Sequence, residues 1–394
     1  MSPTNSKLNS FQRGVSLIEL MISLTIGLAL TVGLTILLST SSSSFKQQDD
    51  FARLQENGVA ALRYIGDDLR QAGFYGMGTT SDSITIAGTL AIPAANDCAS
   101  ALNDSATNWA LYTFNPLVTY NYPLIDTANV NAYFPCIQAA NYQNGSPILV
   151  MRFASGYRIP DPNNDGNLSD AALDANTVYL QSQPANGILF KGGDFAAGAN
   201  LKGNNLTKTR LKRAGDSDPA VAAAAVGATV DFPIYEYQTH AYYIRPCSRP
   251  SGATCQPTDD NGMLIPTLVR QELVRLAMQE IPVVEGVERI GLLYGIDNND
   301  DGTADQFTVA PNLAQWANVV SVKVSVLVRT VAPSAGYNDD NKSYDLGLGA
   351  GAIYSSNAAL AAACIDCVLT GSNYKRHVFS QTFQVRNVAQ RKEK

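Results

Sequence analysis

The sequence predicts an α+β fold: a long N-terminal helix packed on an antiparallel β-sheet domain with long loop insertions. Three observations predict it. Residues 15–38 are almost uninterruptedly apolar, and residues 51–72 carry apolar side chains at steps of three and four. Beyond Gly78 the pattern changes to short alternating runs separated by turn-rich stretches.

The 15–38 stretch holds 24 residues, long enough to cross a bilayer as a helix at about 1.5 Å per residue. Glu19 is its one acid, and a carboxylate in such a span costs roughly 2.5–3.5 kcal/mol on insertion scales unless it finds a partner. Ser39 to Ser44 follow as a polar run. Then Phe51, Leu54, Gly58, Leu62, Ile65, Leu69 and Ala72 form one apolar stripe, with Arg53, Glu56, Arg63, Asp67 and Arg70 around the rest. Residues 15 to about 73 therefore read as one helix of roughly 90 Å. Gly27 and Gly33 lower its propensity by about 1 kcal/mol each. They read as small residues for close helix packing, or as points where the helix loosens. Gly73, Gly76 and Gly78 end it.

The flanks of the span do not fit a secretory signal peptide, because no small-x-small cleavage site follows the apolar run. Gly14-Val15-Ser16-Leu17-Ile18-Glu19 before a long apolar helix resembles the class III leader of type IV prepilins. That resemblance implies cleavage by a prepilin peptidase after Gly14, Val15 as the new amino terminus, and Glu19 as an assembly residue paired with a terminal ammonium. Val15 departs from the Phe that most relatives carry there, which bears on terminal N-methylation. The expected divisions are a leader (1–14), an inner-membrane assembly helix (15–38), an amphipathic continuation (39–75) and a β-rich periplasmic or extracellular domain (76–394).

Strands are expected at 83–87, 147–159, 177–181, 187–190, 229–245, 319–331 and 378–386, with 268–278 ambiguous but strand-like at its start. In 319–331, Val320, Val322, Val324, Val326 and Val328 share one face; in the last strand Phe379, Phe383 and Val385 point inward. Residues 94–108, 194–228 and 334–363 are rich in Asn, Ala and Gly and read as insertions or surface loops.

Charged residues are 16% of the chain and hydrophobics 45%, which permits a large core. The formal net charge is −6, and loss of Lys7 and Arg13 with the leader makes it −8. An acidic chain without a basic stripe argues against nucleic-acid binding. Six cysteines in an exported chain suggest disulfides; sequence proximity pairs Cys98 with Cys136, Cys247 with Cys255 and Cys364 with Cys367, among about fifteen possible connectivities.

Two stretches offer oxygen ligands at alternate positions, the pattern hard Ca²⁺ requires. One holds Asp297, Asn299, Asp301, Thr303 and Asp305; the weaker holds Asp161, Asn163, Asp165, Asn167 and Ser169. Neither is an EF-hand, since the twelfth positions are Thr308 and Ala172. Polar Asx-rich turns account for the same residues.

Tyr294-Gly295-Ile296-Asp297, then Trp316 ahead of the valine ladder, and Asp68-Leu69-Arg70-Gln71-Ala72-Gly73-Phe74 at the helix end resemble PilW-like minor pilins. The resemblance covers both ends of the chain and only weakly the middle, about 90–260. It implies a non-enzymatic subunit that joins other minor pilins, the major pilin and a tip adhesin to prime and cap a type IV pilus. Rival readings are a minor pseudopilin of a type II secretion system, a calcium-dependent adhesin, and an anchored oxidoreductase using Cys364 and Cys367. Catalytic motifs are lacking: His240 and His377 are the only histidines, and no HExxH, P-loop or Gly-x-Ser-x-Gly occurs. His240 reads as a packed strand residue, and Tyr235, Tyr237, Tyr242 and Tyr243 as cross-strand packing or a binding face.

Overall fold

The computed structural model describes residues 14, 16–76, 80–87, 90–121, 123–159, 173–182, 186–197, 233–348, 353–361 and 366–388. The chain divides into two compact units, residues 1–52 and 53–394, and helix α1 (Leu17–Gln71, 55 residues) contributes to both. The serine run at 39–44 lies within the helix and does not interrupt it.

Among the described residues of the second unit, the strands are β1 (Ile84–Ile86), β2 (Leu117–Tyr120), β3 (Ile148–Arg158), β4 (Val178–Ser182), β5 (Gly187–Lys191), β6 (Ile234–Arg245), β7 (Thr267–Val274), β8 (Ala277–Glu285), β9 (Val287–Ile296), β10 (Gln306–Thr308), β11 (Val319–Arg329), β12 (Tyr344–Asp345), β13 (Ile353–Tyr354) and β14 (Arg376–Gln384). Two short helices, α2 (Val130–Tyr133) and α3 (Gly192–Ala197), lie between them.

The larger sheet runs β1-β5-β4-β6-β3-β2, with β7 on β6 and β8 on β7. One edge of β6 is shared: residues 234–236 pair with β4 and residues 240–245 with β7. Among the described strands the expected antiparallel pairing holds except at β1–β5, which is parallel; an isolated bridge between Ser355 and Val368 is parallel as well. The second sheet, β10-β9-β11-β14, is antiparallel, and β12 pairs with β13 apart from both. The ambiguous stretch 268–278 is a strand and the turn of a hairpin, reversing at Arg275 and Leu276, both with positive φ.

The chain changes sheets at Gly286. Its φ is +83, its N–H donates to the Pro266 carbonyl at 2.7 Å and its carbonyl accepts Arg329 N–H at 2.8 Å. A Cβ there would lie 2.7 Å from the Arg329 carbonyl oxygen, so glycine is required twice over.

Both sheets share one core with the C-terminal part of α1. Leu54, Ala61, Leu62, Ile65, Leu69 and Ala72 pack with Leu149, Met151, Phe153 and Tyr242 of the larger sheet and with Val322, Val324, Val326, Val328 and Phe383 of the smaller. Two expected members differ. Phe51 stays exposed, and a register shift between Val319 and Ser321 brings Val319 rather than Val320 into this cluster. Alternate residues of the larger sheet, among them Val150, Ala154, Tyr237, Ala241 and Tyr243, face a second cluster with Trp109, Leu111, Ile125 and Phe134. A sheet covered on both faces favours apolar residues at consecutive positions, as at residues 148–151 of β3 and 241–244 of β6.

The segment read as a surface loop at 94–108 is in part a packed cover. Cys98 and Asp97 are buried, and the Asp97 carboxylate accepts N–H bonds from Cys98, Trp109 and Ala110 at 2.9, 2.8 and 3.2 Å. Those bonds are what make burial of the carboxylate tolerable, yet desolvation still raises its pKa above the ordinary value. Disulfides join Cys98 to Cys136 and Cys247 to Cys255. Cys367 is disulfide-bonded too, while Cys364 lies outside the described residues. The stretch 334–363 holds β12 and β13, so it too is not simply loop.

Candidate functional site: the N-terminal helix and its anchorage

Helix α1 opens on Ser16 and Glu19. The Leu20 N–H donates to the Ser16 carbonyl at 3.1 Å, closing the first turn. The Ser16 N–H donates to Glu19 Oε2 at 2.9 Å. Glu19 thus satisfies an orphan donor at the positive end of the helix dipole, the role of the third residue in a capping box. The Ser-x-x-Glu spacing carried that signal in the sequence. Gly14 is exposed; Val15 lies outside the described residues.

Described residues 16–49 are all exposed within the chain, with Leu17 at 77% and Leu30 at 69%. Such a surface calls for lipid or other helices. Four hydroxyls in it are satisfied within the helix: Ser23, Thr25, Thr31 and Thr35 donate back to the carbonyls of Leu20, Ile22, Leu28 and Thr31 at 2.8–3.0 Å. A Cβ added at Gly27 or Gly33 would meet nothing within 4 Å.

At its other end α1 is held by three devices inside the second unit. Gly58 and Gly66 lie against the rings of Phe379 and Phe383, so close that a Cβ on either would overlap the ring. Asp68, buried, accepts from Tyr242 Oη at 2.6 Å and contacts His240 Nδ1 at 2.5 Å, with Arg270 Nη1 at 3.8 Å. Burial, then the neighbouring Asp68 charge, keeps the Tyr242 hydroxyl well above the usual tyrosine pKa, so it remains a donor. Finally, Asn387 Nδ2 reaches the Arg70, Gln71 and Ala72 carbonyls at 3.2, 3.3 and 3.1 Å, covering acceptors that the last turn leaves free, while Gly73 takes φ +73. Sequence reading placed Asp67 on the outer face correctly and missed that Asp68 lies on the apolar stripe, three residues after Ile65.

The tyrosine strand is a packing element: Tyr237, Tyr242 and Tyr243 are buried, and Tyr235 is edge-to-face with Phe74. His240 is buried beside Asp68; His377 is exposed on β14 and edge-on to Phe379.

In the loop 297–305, Asp297 is fully buried and accepts N–H bonds from Asn299, Asp300 and Gly302. Asp301 accepts from Thr303, and Asp305 from Asn298 N–H. Asn299 Nδ2 lies 3.2 Å from Asp301 Oδ2 and 3.3 Å from Asp305 Oδ1. The side chains are thus organised around their own turn. Asp161, Asn163, Asp165, Asn167 and Ser169 lie outside the described residues. Cys247, Cys255 and Asp259 come close enough to suggest a metal group, but both sulfurs are consumed in the disulfide and Asp259 accepts Ser251 and Gln256 N–H.

Residues 242–387 match the family model for type IV pilus-assembly protein W (PilW), and residues 9–35 match the prokaryotic N-terminal methylation motif. Over those two segments the chain is similar to PilW-like type IV pilins. The PilW match begins at Tyr242 and ends at Asn387, the two residues that bind the end of α1 from opposite ends of the matched segment. The methylation motif covers Gly14, Val15 and Glu19. Among solved structures, a type IV-like pilin from Thermus thermophilus is similar at 15% identity, over 45% of this chain and 74% of that one, with a TM-score of 0.20. No curated protein matches. The apolar helix and the methylation motif together fit a membrane-anchored pilin-like chain.

Proposed function

We propose that this minor pilin waits in the inner membrane with its β-rich domain in the periplasm. It then joins other minor pilins in a complex that primes type IV pilus assembly, stands at the tip above the major pilin and holds a tip adhesin. The observation that carries the reading is the presence, in one chain, of the methylation motif at 9–35 and the PilW match at 242–387.

The proposed mechanism follows from the helix. Cleavage after Gly14 turns the Val15 amide into an ammonium. A buried carboxylate in lipid needs such a partner, and Glu19, which among the described residues accepts the Ser16 N–H, is available to a neighbouring subunit's terminus. That pairing sets axial register. The large domain, bound to α1 through Asp68, Gly58, Gly66 and Asn387, then moves with the helix as it leaves the membrane.

Crosslinked pull-down of the mature protein tests this reading. Recovery of other minor pilins and a large adhesin supports it; recovery of secretion-system pseudopilins replaces it with the type II secretion reading; recovery of neither removes both.

Calcium at Asp297, Asn299, Asp301, Thr303 and Asp305 belongs to the adhesin alternative. Its support is the approach of Asp301 and Asp305 to one Asn299 amide, a position a cation would take. Calcium titration of the purified chain decides it: no binding at millimolar concentration removes the site.

A further inference from the structure

A cavity of about 300 Å³ lies in the second unit beside Glu288, Arg289 and Arg329, walled on its apolar side by Met263, Leu264 and Pro266. Its charges do not balance pairwise. Arg376 takes the Glu288 carboxylate with Nε at 2.7 Å and Nη2 at 3.1 Å and also reaches Asp339 at 2.7 Å. Arg329, only 3% exposed, stands 3.6 Å from Glu288, stacks on the Tyr374 ring at 3.8 Å and donates to the Leu264 carbonyl. Arg289, 7% exposed, donates to the Glu288 and Asp366 backbone carbonyls at 2.8 and 2.9 Å and makes no ion pair among the described residues. Among the described residues neither the Nε of Arg289 nor that of Arg329 makes a hydrogen bond, the latter facing Glu288 Oε1 only at the 3.6 Å of the ion pair. Three guanidiniums thus face two carboxylates, Glu288 and Asp339; Arg329 shares Glu288 with Arg376, and Arg289 has no counter-ion among the described residues, an expensive arrangement for a buried cation.

We propose that this cavity binds a carboxylate carried on a short apolar stem, with Arg289 and Arg329 as its cationic clamp. A guanidinium presents parallel donors that match the two oxygens of a carboxylate. The apolar wall takes the stem. A monoanion suits the cavity better than a phosphate dianion, because Glu288 is already on its rim and repels added negative charge. Burial lowers the pKa of Arg329 despite the Glu288 charge, consistent with an incompletely neutralised cation. The carboxylate has two sources, a free short-chain acid or the side chain or terminus of a polypeptide.

The test uses the full chain in detergent micelles, titrated with butyrate, with its neutral analogue butyramide, and with a hexapeptide bearing either a free or an amidated carboxyl terminus. Saturable binding of butyrate or of the free-carboxyl peptide, with none for the amides, supports the proposal; whichever carboxylate binds more tightly identifies the source. Arg289→Met is expected to weaken that binding about tenfold or more. Met263→Trp, at a position 45% exposed, obstructs the cavity without touching the buried charges and is expected to abolish it. The proposal is overturned by no saturable response to any carboxylate, by equal binding of the amides, or by unchanged affinity in Met263→Trp.

Discussion

His240 Nδ1 lies 2.5 Å from Asp68 Oδ2, tying the final turns of α1 to the middle of the larger sheet. Tyr242 donates to the same oxygen, so one buried carboxylate serves two strand residues two positions apart. Asp68→Ala strands both and is expected to cost about 3–5 kcal/mol, whereas Tyr242→Phe removes one hydroxyl for about 1 kcal/mol. The two changes share a partner, so the double variant loses less than their sum. Denaturant unfolding of the four proteins measures the coupling; strict additivity contradicts a shared site.

Gly58 and Gly66 present bare backbone to Phe379 and Phe383. On an exposed helix face, Gly→Ala would stabilise by about 1 kcal/mol. Here the added methyl meets an aromatic ring, and each change is expected to destabilise by about 1–3 kcal/mol. Phe383→Leu in the Gly66→Ala background should recover part of that loss. A stabilised Gly66→Ala protein would show that the ring yields freely.

The Cys98–Cys136 and Cys247–Cys255 disulfides close loops of different size, with sequence separations of 38 and 8. Chain entropy alone assigns about 4 kcal/mol to Cys98–Cys136 and roughly 2.6 kcal/mol to Cys247–Cys255. Paired serine substitutions should therefore lower the unfolding midpoint more at the first bridge. The reverse order would mean that packing around Cys247 outweighs the entropy term.

Asp97 supplies a pH signature. Its pKa is raised in the folded chain, chiefly by burial, so the folded state holds a proton more firmly than the unfolded one. Its contribution to stability is therefore greatest below the ordinary carboxylate value of 3.8 and falls as pH rises from there through the folded pKa. Asp97→Asn abolishes that dependence. Comparing the slope of unfolding free energy against pH in both proteins isolates the effect even though the amide costs an acceptor at Trp109 N–H; identical slopes contradict it.

Much of the architecture is visible in the residues themselves. The α1 stripe from Leu54 to Ala72 and the valines of β11 follow simple periodicities, so element type could be read directly. What escaped depends on partners distant in sequence. The β7–β8 turn uses Arg275 and Leu276 at positive φ, residues that give no turn signal. The parallel pairing of β1 with β5 joins residues about a hundred positions apart, and no local pattern encodes it. The bulge between Val319 and Ser321 moves one valine out of register. Asp68 was legible in principle, since an acid on an apolar stripe demands a buried partner, but His240 and Tyr242 lie 172 and 174 residues away. At the other end of α1, the pairing of Ser16 with Glu19 was legible in principle because helix capping acts over a few residues.

The central claim is that α1 is an assembly element governed by Glu19. Its most direct test is recovery of the Glu19→Ala subunit in pili sheared from cells that lack the wild-type copy. The account predicts a protein that is cleaved after Gly14 and retained in the membrane at normal levels, absent from the sheared fraction, with piliation reduced. Normal piliation with the variant recovered at the pilus tip would contradict it.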